Sequence, residues 1–252
     1  MFLELSKKIL LISIIIISFS FSNLYAQKGG FVDKISVAQG DILTFYISSS
    51  VPKFVLKFYK LENTQIFKTE SDSVSGIVQS VSSTAYVDGV NWSPTLQFQI
   101  PLNWETGIYR AQYPITSNPD IIAAIIFIVK EDNPGSFSKT LYILSTNTWN
   151  AYNNFGGKSI YEFNSTDNVR SFKVSFHRPF ARDLGIFGAP DYYVYANKLI
   201  NWATNNNILL EMASMYDLDA NPNLLDNYDI LFLAGHNEYW SMDERIQVEN
   251  FV

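Results

Sequence analysis

Gly235-His236-Asn237-Glu238-Tyr239-Trp240 puts an imidazole and a carboxylate one residue apart, the pairing that proton transfer or ligand binding calls for. His236 is one of only two histidines in 252 residues, so a His-rich metal site is excluded. The preceding run 229–234 is short and nearly all apolar, as a parallel strand buried on both faces would be. Ser241-Met242-Asp243-Glu244 then fits a capping box, with Ser241 as N-cap and Glu244 reaching back to an orphan amide. His236 and Glu238 therefore fall at the carboxyl edge of a sheet, where open α/β folds bind ligands. By itself, a His beside a Glu reads equally well as a polar loop.

Two further clusters could join that edge. Asn147-Thr148-Trp149-Asn150-Ala151-Tyr152-Asn153-Asn154-Phe155-Gly156-Gly157-Lys158-Ser159-Ile160-Tyr161 follows an apolar run at 141–145 and reads as a polar, glycine-containing loop. Tyr152 and Tyr161 either face the crevice of Glu238 or pack while Asn and Gly form turns. Gly156-Gly157-Lys158-Ser159 lacks the upstream glycine of a phosphate loop and is set aside. In Ser175-Phe176-His177-Arg178-Pro179-Phe180, Arg178 either binds an anion or braces a loop through carbonyls, the second being the commoner use. Neither G-x-S-x-G nor H-E-x-x-H occurs.

The elements that must position these residues fall into two regions. Residues 35–38, 42–47, 54–60, 95–100, 107–113 and 121–129 are short strand-like runs separated by turn signals, which predicts a β-sandwich over 31–130. Residues 71–83 read as strand or loop. Residues 131–136 form a charged, turn-rich linker, and 138–252 change to alternating strand and helix: strands at 141–145, 208–212 and 229–234, and a helix at 191–205 started by Pro190 and Asp191. On that helix Tyr195, Leu199 and Trp202 share one face. The expected fold class is α/β with an all-β domain: an N-terminal β-sandwich, then a partial parallel-sheet α/β domain.

Composition narrows the function. With 47% hydrophobic residues a core is assured, and a formal charge of -6 without a basic stripe gives no support to nucleic-acid binding. The absence of cysteine rules out disulfides, thiolate zinc and Cys nucleophiles. Lys7 and Lys8, an apolar run of about 13 residues and the small-residue site Leu24-Tyr25-Ala26 make 1–26 a signal peptide, too short for a stable membrane span. Export without disulfides is ordinary in a bacterium, and the expected location is secreted or periplasmic.

The order of a β-sandwich, W-N-A-Y-N-N, K-S-I-Y, H-R-P, L-L-D-N-Y-D-I-L-F-L-A and G-H-N-E-Y-W resembles the large (beta) subunit of bacterial N,N-dimethylformamidase and its relatives, from about residue 31 to 252. The resemblance implies a C-terminal domain like class I glutamine amidotransferases. It also implies a mononuclear, ferric iron held by Tyr152, Tyr161 and Glu238, with His236 beside it, and hydrolysis of a small linear amide. His236 and Glu238 would be the catalytic pair. The family's motif more often reads H-P-E-Y where this chain has Asn237. The chain stops within the helix opened by Ser241, before the family's Gly-Gly-Asn segment, and a truncated copy would be inactive.

The implied partner is a small amide substrate, with a homo-oligomer left open. Two rivals stand: a non-catalytic secreted binding protein recognising glycans or a surface partner through Trp92 and Trp104 on the sandwich, and an α/β protein without iron. On the leader reading, N-terminal sequencing of the exported protein should begin at Gln27; a mature chain starting at Met1 would contradict it.

Overall fold

The computed structural model describes residues 28–118, 121–180 and 195–252. The leader at 1–26 and the helix start at Pro190 and Asp191 lie outside the described residues. The first ten strands are β1 (Gly29–Val32), β2 (Ser36–Ala38), β3 (Ile42–Ser48), β4 (Lys53–Phe54), β5 (Lys57–Leu61), β6 (Gln65–Glu70), β7 (Val74–Ser75), β8 (Leu96–Gln99), β9 (Gly107–Pro114) and β10 (Ile122–Lys130). They form a three-stranded antiparallel sheet β1-β3-β8, a five-stranded sheet β2-β10-β9-β5-β6 and a two-stranded ribbon β4-β7. Within the five-stranded sheet only β2 runs parallel to its neighbour.

Period-two alternation fills the space between the two larger sheets. Leu43, Phe45 and Ile47 of β3 point into it and meet Phe58, Tyr109, Ala111 and Phe127. Phe45 meets Phe58 and Phe127 edge-on at 5.8 Å, and Trp104 stacks on Tyr109 at 4.6 Å. Trp92 and Trp104 are both buried, so neither offers the exposed ring that glycan binding would need.

β10 is apolar on both faces because both are covered. Ile125, Phe127 and Val129 enter the sandwich core, while Ile126 and Ile128 join a second core with Tyr142, Leu144, Trp149, Ile200 and Met212. That second core is built on a parallel sheet of β11 (Thr140–Leu144), β12 (Glu211–Ser214) and β13 (Ile230–Phe232), in the order β12-β11-β13. The fold is thus mixed α/β, with antiparallel sheets and one small parallel sheet. Among the described residues no helix is long and apolar enough to cross a membrane.

Four local readings change. The segment after β11 is not a loop throughout: Thr146–Tyr152 is helical, although its asparagines and threonines are poor helix formers. Burial of Trp149 and Ala151 and side-chain bonds from the first turn hold it, so tertiary contact overrides propensity. The helix Asn197–Asn205 presents Ile200 and Ala203 to the core, with Ala196 just before it and Leu199 partly buried against it, while Tyr195 and Trp202 are exposed. Residues 71–83 contribute only the short β7.

The fourth change is the second parallel strand, which begins at Glu211 rather than at Ile208 and runs on to Ser214. Buried Glu211 accepts from the amides of Gly135 (2.9 Å), Phe137 (2.8 Å) and Ser138 (2.8 Å) and from the Tyr228 hydroxyl (2.6 Å), pinning the linker region to the sheet. A charged strand start hides from hydrophobic patterning.

One polar knot crosses the seam between sandwich and parallel sheet. Asp217 closes a capping box with Ser214 and also accepts from Ser36 and Lys130 of the sandwich. Removing a buried carboxylate that four donors address leaves those donors unpaired. Asp217→Ala should lower the unfolding free energy by about 3 kcal/mol in urea titrations; a loss within about 0.5 kcal/mol, the range of an ordinary surface change, would show the knot to be dispensable.

Candidate functional site

Tyr152, Tyr161, His236 and Glu238 come from separate stretches of chain and meet at one place. Tyr152 ends the helix after β11, and Glu238 lies in the turn after β13, so the carboxyl ends of two adjacent parallel strands deliver them. Tyr161 arrives from the loop between. Its hydroxyl donates to Glu238 Oε2 at 2.5 Å, and the Tyr152 hydroxyl approaches the same oxygen at 3.4 Å. His236 Nε2 stands 3.3 Å from that oxygen as well. The tyrosine rings lie 4.2 Å apart, and the Tyr152 and His236 rings 5.8 Å apart.

The loop bearing Tyr161 is held by Arg178. Its buried guanidinium donates to the carbonyls of Ser175 (2.9 Å), Phe155 (2.8 Å), Lys158 (3.1 Å) and Asn150 (3.2 Å). Burial lowers its pKa to about 10, so it remains a cation at neutral pH. Arg178 is therefore the brace of the two readings its sequence allowed; His177 beside it is exposed. Gly156 has φ +84, and a Cβ there would lie 2.8 Å from the Tyr86 amide nitrogen, so Gly156 serves a close approach to Ala85 and Tyr86.

The carboxylate sets the electrostatics. Burial first, then the hydrogen bond to Glu238, raises the Tyr161 phenol well above the ordinary range. Tyr152 is raised too, by burial first and by the Glu238 charge, against a lowering from its bond with Tyr161. Burial and the neighbouring carboxylate thus both favour the protonated form of the two phenols. Glu238 and His236 are more than a third exposed at their side chains, so the cluster opens to solvent. Beside it lies a cleft of about 420 Å³ whose wall includes Ile160, Lys173, Tyr216, Tyr239 and Glu244.

Among the described residues no group of three or more His, Asp and Glu side chains gathers into a cation site. Any metal held here would need the phenols as donors. A match to the family model for N,N-dimethylformamidase beta subunit-like proteins, C-terminal, runs over residues 56–252. The chain belongs to that family. No curated protein matches it. Among solved structures, a complex of Dpr2 Ig1-Ig2 with DIP-Theta Ig1-Ig3 is matched at 11% identity and a TM-score of 0.23, over 45% of this chain and 38% of that one.

Within this N,N-dimethylformamidase beta subunit-like chain, Asn237 occupies the position after the motif histidine. Its side-chain amide donates to the Leu233 carbonyl at 3.2 Å, and its own carbonyl accepts from Trp240 Nε1 at 2.9 Å, closing the turn that aims Glu238. The expected capping box is formed: Ser241 Oγ accepts from the Glu244 amide at 3.1 Å, and Glu244 accepts from the Ser241 amide at 2.7 Å. Sequence reading missed Asn147 and Thr148 as supports. Their signal was an Asn and a Thr in the first turn of an unrecognised helix.

Arg178 offers the direct test of how the site is held. Arg178→Met keeps the bulk and removes donors from four carbonyls, so it should cost about 3 kcal/mol in chemical denaturation; stability equal to the unmodified protein would remove Arg178 from the frame of the site.

Proposed function

We propose that this protein is an exported, iron-dependent hydrolase of small linear amides, with Tyr152, Tyr161 and Glu238 as iron ligands and His236 as the proton carrier. One observation carries the reading: two phenol oxygens converge on a single oxygen of Glu238. Phenols stay protonated at neutral pH unless a strong Lewis acid replaces the proton. Two phenolates and a carboxylate would together supply three hard anionic charges, a match for a ferric ion. The donor set therefore fits the metal that the resemblance implies. Bound there, ferric iron would supply Lewis acidity toward water and an amide carbonyl.

The chain's own groups account for the rest. In amide hydrolysis a C–O bond forms, the C–N bond breaks, and a proton must reach the departing nitrogen. His236 is exposed to solvent and reaches Glu238 by Nε2, so it can take a proton from the attacking water and pass it to the amine. The rings of Tyr152, Tyr161 and Phe163 cluster beside the pair. The finer architecture belongs to the same proposal: a sandwich over 31–130 and a class I glutamine amidotransferase-like domain over 138–252.

The test is metal content after expression in iron-replete medium. The unmodified protein should retain iron in proportion to chain, while Tyr152→Phe and Glu238→Gln should each lose most of it. Equal iron in all three would sink the assignment of the ligands.

A further inference from the structure

The helix that carries Tyr152 begins with three consecutive polar side chains, each bonded to a different part of the chain. Thr146 Oγ1 accepts from the Met215 amide at 3.1 Å. Asn147 Nδ2 donates to Glu244 at 2.9 and 3.1 Å and to the Tyr239 carbonyl at 3.4 Å. Thr148 Oγ1, on a residue with no exposed surface, accepts from the Glu238 amide at 3.0 Å. Tyr152 lies one helical turn beyond Thr148 on the same face.

Glu238 accepts from Tyr161 through its carboxylate, which lies near Tyr152 and His236, but its backbone needs an anchor as well. Its side chain is more than a third exposed, and the turn around it is irregular. A partly exposed carboxylate on such a turn samples several rotamers unless its backbone is anchored. Thr148 ties that backbone directly to the helix that ends in Tyr152, so this hydrogen bond, alongside the Asn237 turn, links the positions of the two donors. Asn147 holds the next stretch by gripping buried Glu244, whose carboxylate already caps the helix Met242–Phe251.

We propose that Thr148 is the positioning residue for Glu238: through the Glu238 amide it sets the distance between the Glu238 carboxylate and the Tyr152 phenol, and thereby the affinity of the site for ferric iron. This rests on the iron reading above. The hydroxyl acts as an acceptor, so Thr148→Ser should preserve the function and Thr148→Val should weaken it with nearly the same volume. Loss of a group that orients a metal ligand weakens metal binding about tenfold or more.

Two measurements on the full chain test it. In the metal-free protein, exchange of the Glu238 amide hydrogen should be slow in the unmodified protein and Thr148→Ser, and faster in Thr148→Val. In ferric titrations, followed by the phenolate-to-iron absorption band, Thr148→Val should bind about tenfold more weakly with a displaced band, while Thr148→Ser matches the unmodified protein. If Val does not fold, Thr148→Ala removes the same acceptor without adding atoms.

Unchanged amide exchange in Thr148→Val overturns the proposal. So does faster exchange with unchanged iron affinity and band, since Thr148 would then only shape the turn. Failure of the unmodified protein to bind iron defeats the iron reading instead, and amide exchange alone then decides whether Thr148 fixes Glu238.

Discussion

A five-stranded sheet with apolar side chains on both faces cannot stand at the edge of a molecule, and that constraint organises the rest of this chain. β10 sends Ile125, Phe127 and Val129 to one side and Ile126 and Ile128 to the other. The three-stranded sheet covers the first side. The layer built on the parallel sheet covers the second. Burial of an Ile contributes about 2 kcal/mol, whereas a buried ion pair roughly breaks even against its desolvation. Apolar contact therefore holds the seam, and the Asp217 knot with Ser36, Ser214 and Lys130 fixes how its two sides register.

Once the parallel sheet is seated, its strand order determines where chemistry can be placed. β11 lies between β12 and β13, so the segments leaving β11 and β13 emerge side by side. One carries Tyr152 and the other Glu238. The longer excursion after the first helix returns Tyr161 to the same oxygen, and Arg178 locks that excursion through backbone carbonyls rather than through charge pairing. Buried groups, Thr148 and Arg178 among them, bond to the backbone around the cluster, while the Glu238 and His236 side chains remain partly exposed. That division is common in sites where reactive groups sit on loops above a rigid sheet.

Much of this was legible in the residues. Short apolar runs marked β11 and β13, although β13 is an edge strand with Ile230 exposed rather than one buried on both faces, and the capping box at Ser241 and Glu244 formed as written because its signal is local. Tyr152, Tyr161, His236 and Glu238 came from motif resemblance, and the structure brings all four together. What stayed hidden depended on distant partners. The helix Thr146–Tyr152 is composed of weak helix formers and is held by tertiary bonds, and β12 opens on a buried glutamate whose partners lie on the linker side. The buried face of Asn197–Asn205 is set by Ile200 and Ala203, which an aromatic stripe in the sequence does not reveal.

Membership in the N,N-dimethylformamidase beta subunit-like family supports the ferric reading proposed above, and the convergence of two phenols on one carboxylate oxygen is the geometry on which that proposal rests. The central claim is that this cluster is a ferric site. Anomalous scattering from crystals grown with ferric iron, recorded on both sides of the iron absorption edge, tests it most directly. The account predicts a single strong peak within bonding distance of Tyr152 Oη, Tyr161 Oη and a Glu238 carboxylate oxygen. Iron located elsewhere, or no peak while the two phenols still donate to Glu238, would contradict it.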